Sequence, residues 1–320
     1  MKLALLSTAA INDALLAGAR ESKLVDVIGV ASREHTRAET YARERGLERA
    51  YGSYEQLLDD ADVELVYVAL PNALHVEWAV KALQAGKHVL SEKPLSRAPA
   101  EVERAFDAAE RAGCLLMEGF MYRHHPQTKR MLELVREGAV GELRLVRSQF
   151  SFTLDRPHDV RWSGELGGGS LLDLGCYCVN ASRALAGEPD VVYAEQTLAP
   201  SGVDVRFAAT MRFGGDVLGH FDCGFDLPRR VELEAVGSDG SVAIVPPFVE
   251  DEVRLELRRG ESLTASETSI ANRYGCELDN VARAIGGNEP PLLDRDDAVA
   301  QARTLDALLR SAETGLPASP

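Results

Sequence analysis

The chain has 320 residues, of which 45% are hydrophobic and 27% are charged, and its formal net charge at pH 7 is −15. This length favours two domains, each large enough to bury a hydrophobic core of its own. The excess of acidic residues argues against nucleic acids and anionic membrane surfaces as partners, because both are negatively charged.

The cysteines and the N-terminal segment indicate an intracellular protein. No two of the five cysteines have the spacing of a zinc site or of a thioredoxin-like motif, so we expect reduced thiols and no bound metal. The apolar run at residues 3–6 is too short for the core of a signal peptide, and no apolar segment is long enough to span a membrane. The sequence therefore predicts a cytoplasmic protein.

Strand-like and helix-like segments alternate over the first third of the chain. The predicted strands are residues 3–6, 25–31, 63–70, 88–91 and 114–117. The predicted helices are residues 12–20, 37–45, 54–58, 75–84 and 99–112. Such alternation predicts a doubly wound parallel sheet of the Rossmann type, with right-handed crossovers.

The pattern changes after Phe120. A helix is predicted over residues 127–137, and strand-like runs follow at residues 142–152, 205–213, 217–225, 230–236, 241–245 and 253–257. Short turns link several of these runs, which predicts a mainly antiparallel sheet, and an amphipathic helix over residues 295–314 closes the chain. The fold class is thus α/β plus α+β, with a dinucleotide-binding domain over residues 1–121 and a substrate-binding domain over residues 122–320.

Lys93 is the first candidate for chemistry. It follows Glu92 at the carboxyl end of a predicted buried strand and precedes Pro94. Ligands of open α/β sheets bind at the carboxyl ends of the strands. A lysine at this place is therefore expected to lie in a cleft.

The first strand-to-helix turn lacks the glycines of a dinucleotide fingerprint. It consists of Ser7, Thr8, Ala9, Ala10, Ile11 and Asn12. The missing glycines would allow a tight turn, close approach of the backbone to pyrophosphate and close helix packing. Serine and alanine are the next-smallest residues, so assignment of a cofactor site here depends on neighbouring features.

Two further strand ends carry candidate cofactor contacts. Ser32 and Arg33 follow the second strand, where a hydroxyl and a guanidinium suit the 2′-phosphate of NADP, although an N-cap serine beside a solvated arginine explains them equally well. Leu70, Pro71 and Asn72 form an ordered turn after the third strand. His75 opens the next helix, where a capping role is commoner than a catalytic one.

A glycine-rich segment leads into a helix in the second half of the chain. Gly167, Gly168 and Gly169 precede this helix, which carries Asp173 and Tyr177 four residues apart and therefore on one face. Either these two polar side chains point into a cleft or they satisfy buried partners.

Together these motifs resemble the Gfo/Idh/MocA oxidoreductases. The resemblance rests on residues 86–94, on residues 167–175 and on residues 118–126, which read Glu-Gly-Phe-Met-Tyr-Arg-His-His-Pro. The last segment and Tyr177 are similar to the branch that contains glucose–fructose oxidoreductase, D-xylose dehydrogenases and dimeric dihydrodiol dehydrogenases. The resemblance extends over nearly the whole chain.

The resemblance implies roles for individual residues. Lys93 would be the active-site lysine, before a cis Lys93–Pro94 bond, and Tyr177 the acid–base residue. Asp173 would hold substrate hydroxyls, and Arg123 and Trp162 would line the substrate side. The cofactor would contact Ser7, Thr8, Ala9, Ala10, Ile11, Asn12, Ser32, Arg33, Leu70, Pro71, Asn72, His75, Glu92 and Lys93. The second domain would be an open-faced sheet with helices on one face, which pairs with another subunit in a homodimer or a larger homo-oligomer.

The resulting hypothesis is NADP-dependent hydride transfer to or from a carbinol carbon of a sugar, polyol or diol. A lysine cation favours the phenolate form of a neighbouring tyrosine, so Lys93 and Tyr177 make a coherent acid–base pair. One alternative is a sensor or regulator of the same fold that binds a dinucleotide or sugar without turnover. Another is an elimination or hydrolysis enzyme with tightly held NAD, which Ser32 and Arg33 disfavour.

Overall fold

The computed structural model describes residues 1–260 and 262–320. Its strands are β1 (Lys2–Leu5), β2 (Asp26–Ala31), β3 (Arg49–Tyr51), β4 (Leu65–Val68), β5 (His88–Glu92), β6 (Leu116–Gly119), β7 (Leu143–Ser151), β8 (Pro189–Leu198), β9 (Asp204–Phe213), β10 (Leu218–Gly224), β11 (Arg230–Gly237), β12 (Gly240–Val245), β13 (Glu252–Arg259) and β14 (Ser262–Ile270). Its helices are α1 (Asn12–Glu21), α2 (His35–Arg45), α3 (Tyr54–Leu58), α4 (His75–Gln84), α5 (Pro99–Ala112), α6 (Pro126–Arg136), α7 (Cys176–Ala186), α8 (Arg273–Ile285) and α9 (Arg295–Thr314). Within the described residues, no helix is long and apolar enough to cross a lipid bilayer.

The chain folds into two compact units. Unit 1 comprises Met1–Ser96, Ala100–His124 and Asn272–Val299, and unit 2 comprises Arg97–Pro99, His125–Ala271 and Ala300–Pro320. The domain division between residues 121 and 122 stays a prediction. The compact units differ from that simple division because a segment from late in the chain belongs to unit 1.

The sheet of unit 1 has the predicted Rossmann architecture. Its strand order is β3-β2-β1-β4-β5-β6, and every neighbouring pair is parallel. All four residues of β4 are buried, as expected for a parallel strand that is covered on both faces. The strand order reverses between β1 and β4, so the carboxyl ends of these two strands flank the place where such sheets bind ligands.

Helix α8, which was not predicted, packs against α1 within unit 1. The contact is close because Gly18 of α1 faces the backbone of Tyr274 and Gly275. The Ser22 hydroxyl donates a hydrogen bond to Asp279 Oδ1 at 2.6 Å and ties the end of α1 to α8. A segment distant in sequence therefore completes the helical layer on the nucleotide-binding unit.

The sheet of unit 2 is mainly antiparallel, as predicted. Its strand order is β14-β13-β12-β11-β7-β10-β9-β8. Among the described strands of this second sheet, β7 and β10 are the one parallel pair. Helices α6 and α7 pack on this sheet, and buried and exposed residues alternate along β9 and β10. One face of the sheet is therefore covered by helices, whereas the other is exposed.

We predict that Gly18→Ala destabilises unit 1. An added Cβ would lie 2.5 Å from the Gly275 nitrogen and 2.7 Å from Tyr274 Cβ. We expect overpacking to outweigh the helical preference for alanine and to lower the free energy of unfolding by about 1–3 kcal/mol. Urea unfolding in a Trp162→Phe background measures this, because Trp78 of unit 1 is then the one remaining tryptophan.

Gly214→Ala is the matched control, because no atom lies within 4 Å of the position that its Cβ would occupy. A Gly18→Ala protein as stable as the wild type would contradict the close contact between α1 and α8.

Candidate active site

The first turn of unit 1 closes without glycine by means of side-chain hydrogen bonds. Ser7 has a φ of 155°, in a region that favours glycine. Its hydroxyl donates to the Ala69 carbonyl at 2.6 Å and accepts from the Ala9 N–H at 3.2 Å. The Asn12 side-chain amide donates to the Ser7 carbonyl at 2.8 Å. Polar side chains therefore hold a backbone shape that glycines would otherwise permit.

Three backbone N–H groups of this turn are available to a ligand. Within the described part of the chain, those of Thr8, Ala10 and Ile11 have no protein acceptor. They precede the first turn of α1, where the helix dipole favours negative charge. The turn can therefore bind an anionic group such as a pyrophosphate.

Ser32 is held in a local turn at the end of β2. It is buried, its N–H donates to the Tyr51 carbonyl at 3.1 Å, and its hydroxyl accepts from the Glu34 N–H at 3.3 Å. Ser32 is not the N-cap of α2, which is Glu34, because its hydroxyl accepts from an N–H that precedes the helix. The hydroxyl proton is available to a ligand.

Two arginines bring positive charge to the same strand end. Burial raises the pKa of Tyr54, and the charges of Arg33 and Arg37 oppose that rise. Arg33 precedes α2 and Arg37 lies in its first turn, and both residues are exposed. Arg37 was not predicted.

The loop after β5 carries Glu92 and Lys93. Lys93 is only 9% exposed, and the Lys93–Pro94 bond is cis, as the resemblance implies. The Tyr67 hydroxyl donates a short hydrogen bond to Glu92 Oε1, and burial followed by the charge of Glu92 raises the pKa of Tyr67. Tyr67 therefore fixes the carboxylate that precedes the candidate lysine.

His75 joins two strand-end loops. Its Nδ1 lies 2.8 Å from the Pro94 carbonyl oxygen and its Nε2 lies 2.8 Å from the Leu70 carbonyl oxygen. Burial lowers the pKa of His75, and the two carbonyls oppose this shift. The histidine thus connects the turn that contains Pro71 and Asn72 with the loop of Lys93.

Glu277 is a buried acid that sequence reasoning missed. It lies on α8, and its Oε1 is 4.0 Å from His124 Nε2. Burial, and then the charge of Glu92, raise the pKa of Glu277 well above its ordinary value. The fold therefore disfavours the charged form of Glu277, because it is buried and lies near Glu92. Its sequence surroundings carry no motif that could have identified it.

The glycine-rich segment of unit 2 is shaped by Asp204. Asp204 Oδ2 accepts hydrogen bonds from the Ser170 hydroxyl and the Leu171 N–H, each at 2.7 Å. Gly169 has a φ of 110°, and a Cβ there would collide with Asp204 Oδ1. A Cβ on Gly168 would collide with the Arg161 carbonyl oxygen. Glycine is therefore required for the chain to pass these groups and enter the helix.

Asp173 lies in a π-helical turn, Leu171–Gly175, that leads into α7. Arg161 Nε donates to Asp173 Oδ2 at 2.6 Å, and Arg161 Nη1 lies 3.2 Å from Asp159 Oδ1. Asp173 raises the pKa of Arg161 further above its usual range. Arg161 fixes the position of the Asp173 carboxyl group, and sequence reasoning did not identify this partner.

Tyr177 is on α7, and its ring lies in an aromatic cluster with rings from other parts of unit 2. It is 4% exposed, and its ring centroid is 5.6 Å from that of Phe150 and 5.5 Å from that of Phe248. The rings restrict the direction of the phenol.

Two further residues were predicted to contact the substrate, Arg123 in unit 1 and Trp162 in unit 2. Trp162 of unit 2 donates its indole N–H to the Arg156 carbonyl at 2.9 Å and packs edge-on against Phe225. Arg123 of unit 1 has Nη1 3.9 Å from Asp297 Oδ1. Unit 1 thus gathers the predicted cofactor residues at one edge of its sheet, and unit 2 holds Trp162, Asp173 and Tyr177.

Comparison with known proteins identifies relatives over the full length. Residues 8–120 match the oxidoreductase family with an NAD-binding Rossmann fold, and residues 128–243 match the GFO/IDH/MocA C-terminal domain. The chain is 38% identical over 320 residues to D-xylose 1-dehydrogenase (NADP(+)) 2 of Haloferax volcanii, with 98% of each chain covered.

Two solved structures are also similar. The aldose-aldose oxidoreductase from Caulobacter crescentus, complexed with glycerol, has a TM-score of 0.93 and 27% identity, and 100% of this chain and 99% of that chain are covered. A 3-ketoreductase from Actinomadura kijaniata, in complex with NADP and TDP-benzene, has a TM-score of 0.90 and 29% identity, with 97% of each chain covered.

We predict that Asp204 makes unit 2 less stable as the pH rises. Burial raises its pKa from 3.8 to about 6, so the folded state binds its proton more tightly than the unfolded state does. Stability therefore falls between these two pKa values, by about 3 kcal/mol in all. The difference in unfolding free energy between the wild type and Asp204→Asn should shift by about 2.4 kcal/mol of this total, in favour of the variant, from pH 4 to pH 7.

A Trp78→Phe background leaves Trp162 as the reporter of unit 2 in urea unfolding. A difference between the two proteins that does not change with pH would show that Asp204 does not titrate in this range.

Proposed function

The chain belongs to the Gfo/Idh/MocA oxidoreductase family, and from this premise we propose that it transfers hydride between NADP and a carbinol carbon of a sugar, polyol or diol. The observation that carries this proposal is the buried Lys93 at the carboxyl end of β5, next to a Glu92 held by Tyr67. The substrate class follows the relatives, which are named as a D-xylose dehydrogenase, an aldose-aldose oxidoreductase and a 3-ketoreductase.

The first turn and the end of β2 fit the two phosphate-bearing parts of NADP. The N–H groups of Thr8, Ala10 and Ile11 suit the pyrophosphate. The guanidinium groups of Arg33 and Arg37 suit the 2′-phosphate, which NAD lacks. Leu70, Pro71, Asn72 and Glu92 would contact the nicotinamide half. When bound, NADP supplies the hydride acceptor.

We assign the proton transfer to Tyr177. Its phenol oxygen takes the hydroxyl proton as the carbinol is oxidised and returns it in the reverse direction. A lysine cation favours the phenolate form of a tyrosine, and Lys93 is the residue to which we assign this role. Both side chains are buried, which strengthens electrostatic interactions relative to bulk water.

We assign substrate orientation mainly to Asp173. Arg161 fixes the position of its carboxyl group, whose oxygens can accept hydrogen bonds from sugar hydroxyls. Arg123 and Trp162 would line the same substrate. An arginine and an indole are typical of carbohydrate recognition because one donates hydrogen bonds and the other packs on C–H surfaces.

We also propose that the protein is a cytoplasmic homodimer or larger homo-oligomer. The unit 2 sheet exposes Tyr193, Leu198 and Leu218 along β8 and β10, and a second subunit would cover this apolar area.

Substitution of the acid–base pair tests the enzymatic proposal. We expect Tyr177→Phe and Lys93→Met each to lower kcat by about 10²–10⁴-fold, because the first removes the proton-transfer group and the second the charge that favours its phenolate. NADP reduction with D-xylose, other aldoses, polyols and diols measures kcat. Lys87→Met is the matched control, because Lys87 is also buried but donates to the Asp60 carbonyl.

Unchanged turnover in both variants would contradict the assignment. Tight NADPH binding by the wild type without turnover of any substrate would instead support the sensor alternative, which the enzymatic relatives disfavour.

Cofactor preference provides a separate test. We expect Arg33→Ala and Arg37→Ala each to raise KM for NADP by about ten- to a hundredfold. This range corresponds to the loss of one hydrogen bond between charged groups. KM for NAD should stay nearly constant. Arg43→Ala controls for the general loss of positive charge on α2. Equal effects on NADP and NAD would exclude a 2′-phosphate contact.

A further inference from the structure

We propose that Asn12 is a positioning residue that replaces the missing glycines, by holding the first turn in the shape that binds the cofactor pyrophosphate. The inference rests on the proposed use of NADP. It assigns to Asn12 an effect on cofactor affinity that is exerted through Ser7.

Asn12 occupies the third glycine position of the dinucleotide fingerprint. Ser7, Ala9 and Asn12 have the spacing of the three glycines in G-x-G-x-x-G. The third glycine normally allows the helix to pack closely against the strand. Here a larger side chain is fully buried at that position, and its amide nitrogen bonds the Ser7 carbonyl at 2.8 Å. The substitution therefore adds a contact within the turn.

Ser7 needs this contact because its backbone conformation favours glycine. Its φ is 155°, and Ser7 is one of two non-glycine residues with positive φ in the described chain. The hydroxyl bonds to Ala69 and Ala9 hold its side chain, whereas the Asn12 bond holds its carbonyl. These three bonds together select a conformation that the serine backbone alone would avoid.

The direction of the Ser7 carbonyl determines the direction of one ligand-binding group. In a trans peptide the C=O of one residue and the N–H of the next point in opposite directions. With the Ser7 oxygen fixed towards Asn12, the Thr8 N–H must point away from Asn12. Thr8 N–H is one of the three donors that have no protein acceptor among the described residues. Asn12 thereby orients a group that it does not touch.

Restoration of the fingerprint glycine gives a sharp test. If Asn12 merely occupies a glycine position, Asn12→Gly should bind NADPH as tightly as the wild type or more tightly. We expect the opposite, a rise of about tenfold in the Kd for NADPH, measured by fluorescence titration. A tenfold change corresponds to the free energy of about one hydrogen bond. At saturating NADP, kcat should stay within about twofold, since the turn does not touch the carbinol.

Asn12→Leu keeps the volume of the side chain and removes its N–H donors. We expect the same loss of affinity in this variant, which fills the buried site if the glycine variant is unstable. Asn280→Ala is the control, because Asn280 also bonds a backbone carbonyl in unit 1, that of Pro290, but lies outside the proposed site. Unchanged Kd in both Asn12 variants would overturn the inference.

A double-mutant cycle separates positioning from general destabilisation. In a Ser7→Gly background the turn no longer needs to be held, so Asn12→Gly should change Kd by less than about twofold. Additive effects of the two substitutions would overturn the inference. A wild type that fails to bind NADPH would contradict the proposed function itself, whereas a binding wild type with unaffected Asn12 variants contradicts only the role of Asn12.

Discussion

Burying a polar group without a hydrogen-bond partner costs free energy, and hydrogen bonds among buried groups at the carboxyl edge of the parallel sheet fix the backbone around the candidate site. Ser7 bonds the end of β4 through Ala69, and His75 joins the carbonyls of Leu70 and Pro94. Tyr67 fixes Glu92. The strand-end loops that would receive the cofactor are therefore connected to one another by side chains, so a change in one loop is transmitted to its neighbours.

Unit 2 also uses buried hydrogen bonds, in a different arrangement. Asp204 accepts bonds from Ser170 and Leu171 at the start of a helical segment, and the preceding glycines leave room for its carboxylate. The π-helical turn that follows contains Asp173, and such turns occur often at functional sites. The glycine-rich motif is thus explained by what approaches its backbone, namely a buried aspartate and the carbonyl of Arg161.

Local patterns in the sequence were sufficient for five of the six strands of the Rossmann sheet, all but β3, and for most strands of the second sheet. They were also sufficient for Lys93, Asp173 and Tyr177 as candidates. They were insufficient where a feature depends on distant residues. Strand β14 is exposed along most of its length and so has no hydrophobic alternation. Arg161 and Glu277 gain significance only from partners that the fold brings to them. Asn12 was the hardest to interpret, because the motif at its position specifies the absence of a side chain.

The inclusion of Asn272–Val299 in unit 1 has a consequence for biosynthesis. During translation, the Rossmann strands and α1 leave the ribosome long before α8 exists, and the whole segment His125–Ala271 is made in between. At cellular elongation rates this interval lasts on the order of ten seconds. Until then the α1 surface around Gly18 is uncovered, so the nascent chain is exposed to aggregation and chaperone binding at that surface. Completion of the nucleotide-binding unit therefore waits for the docking of a helix that is synthesised after His125–Ala271.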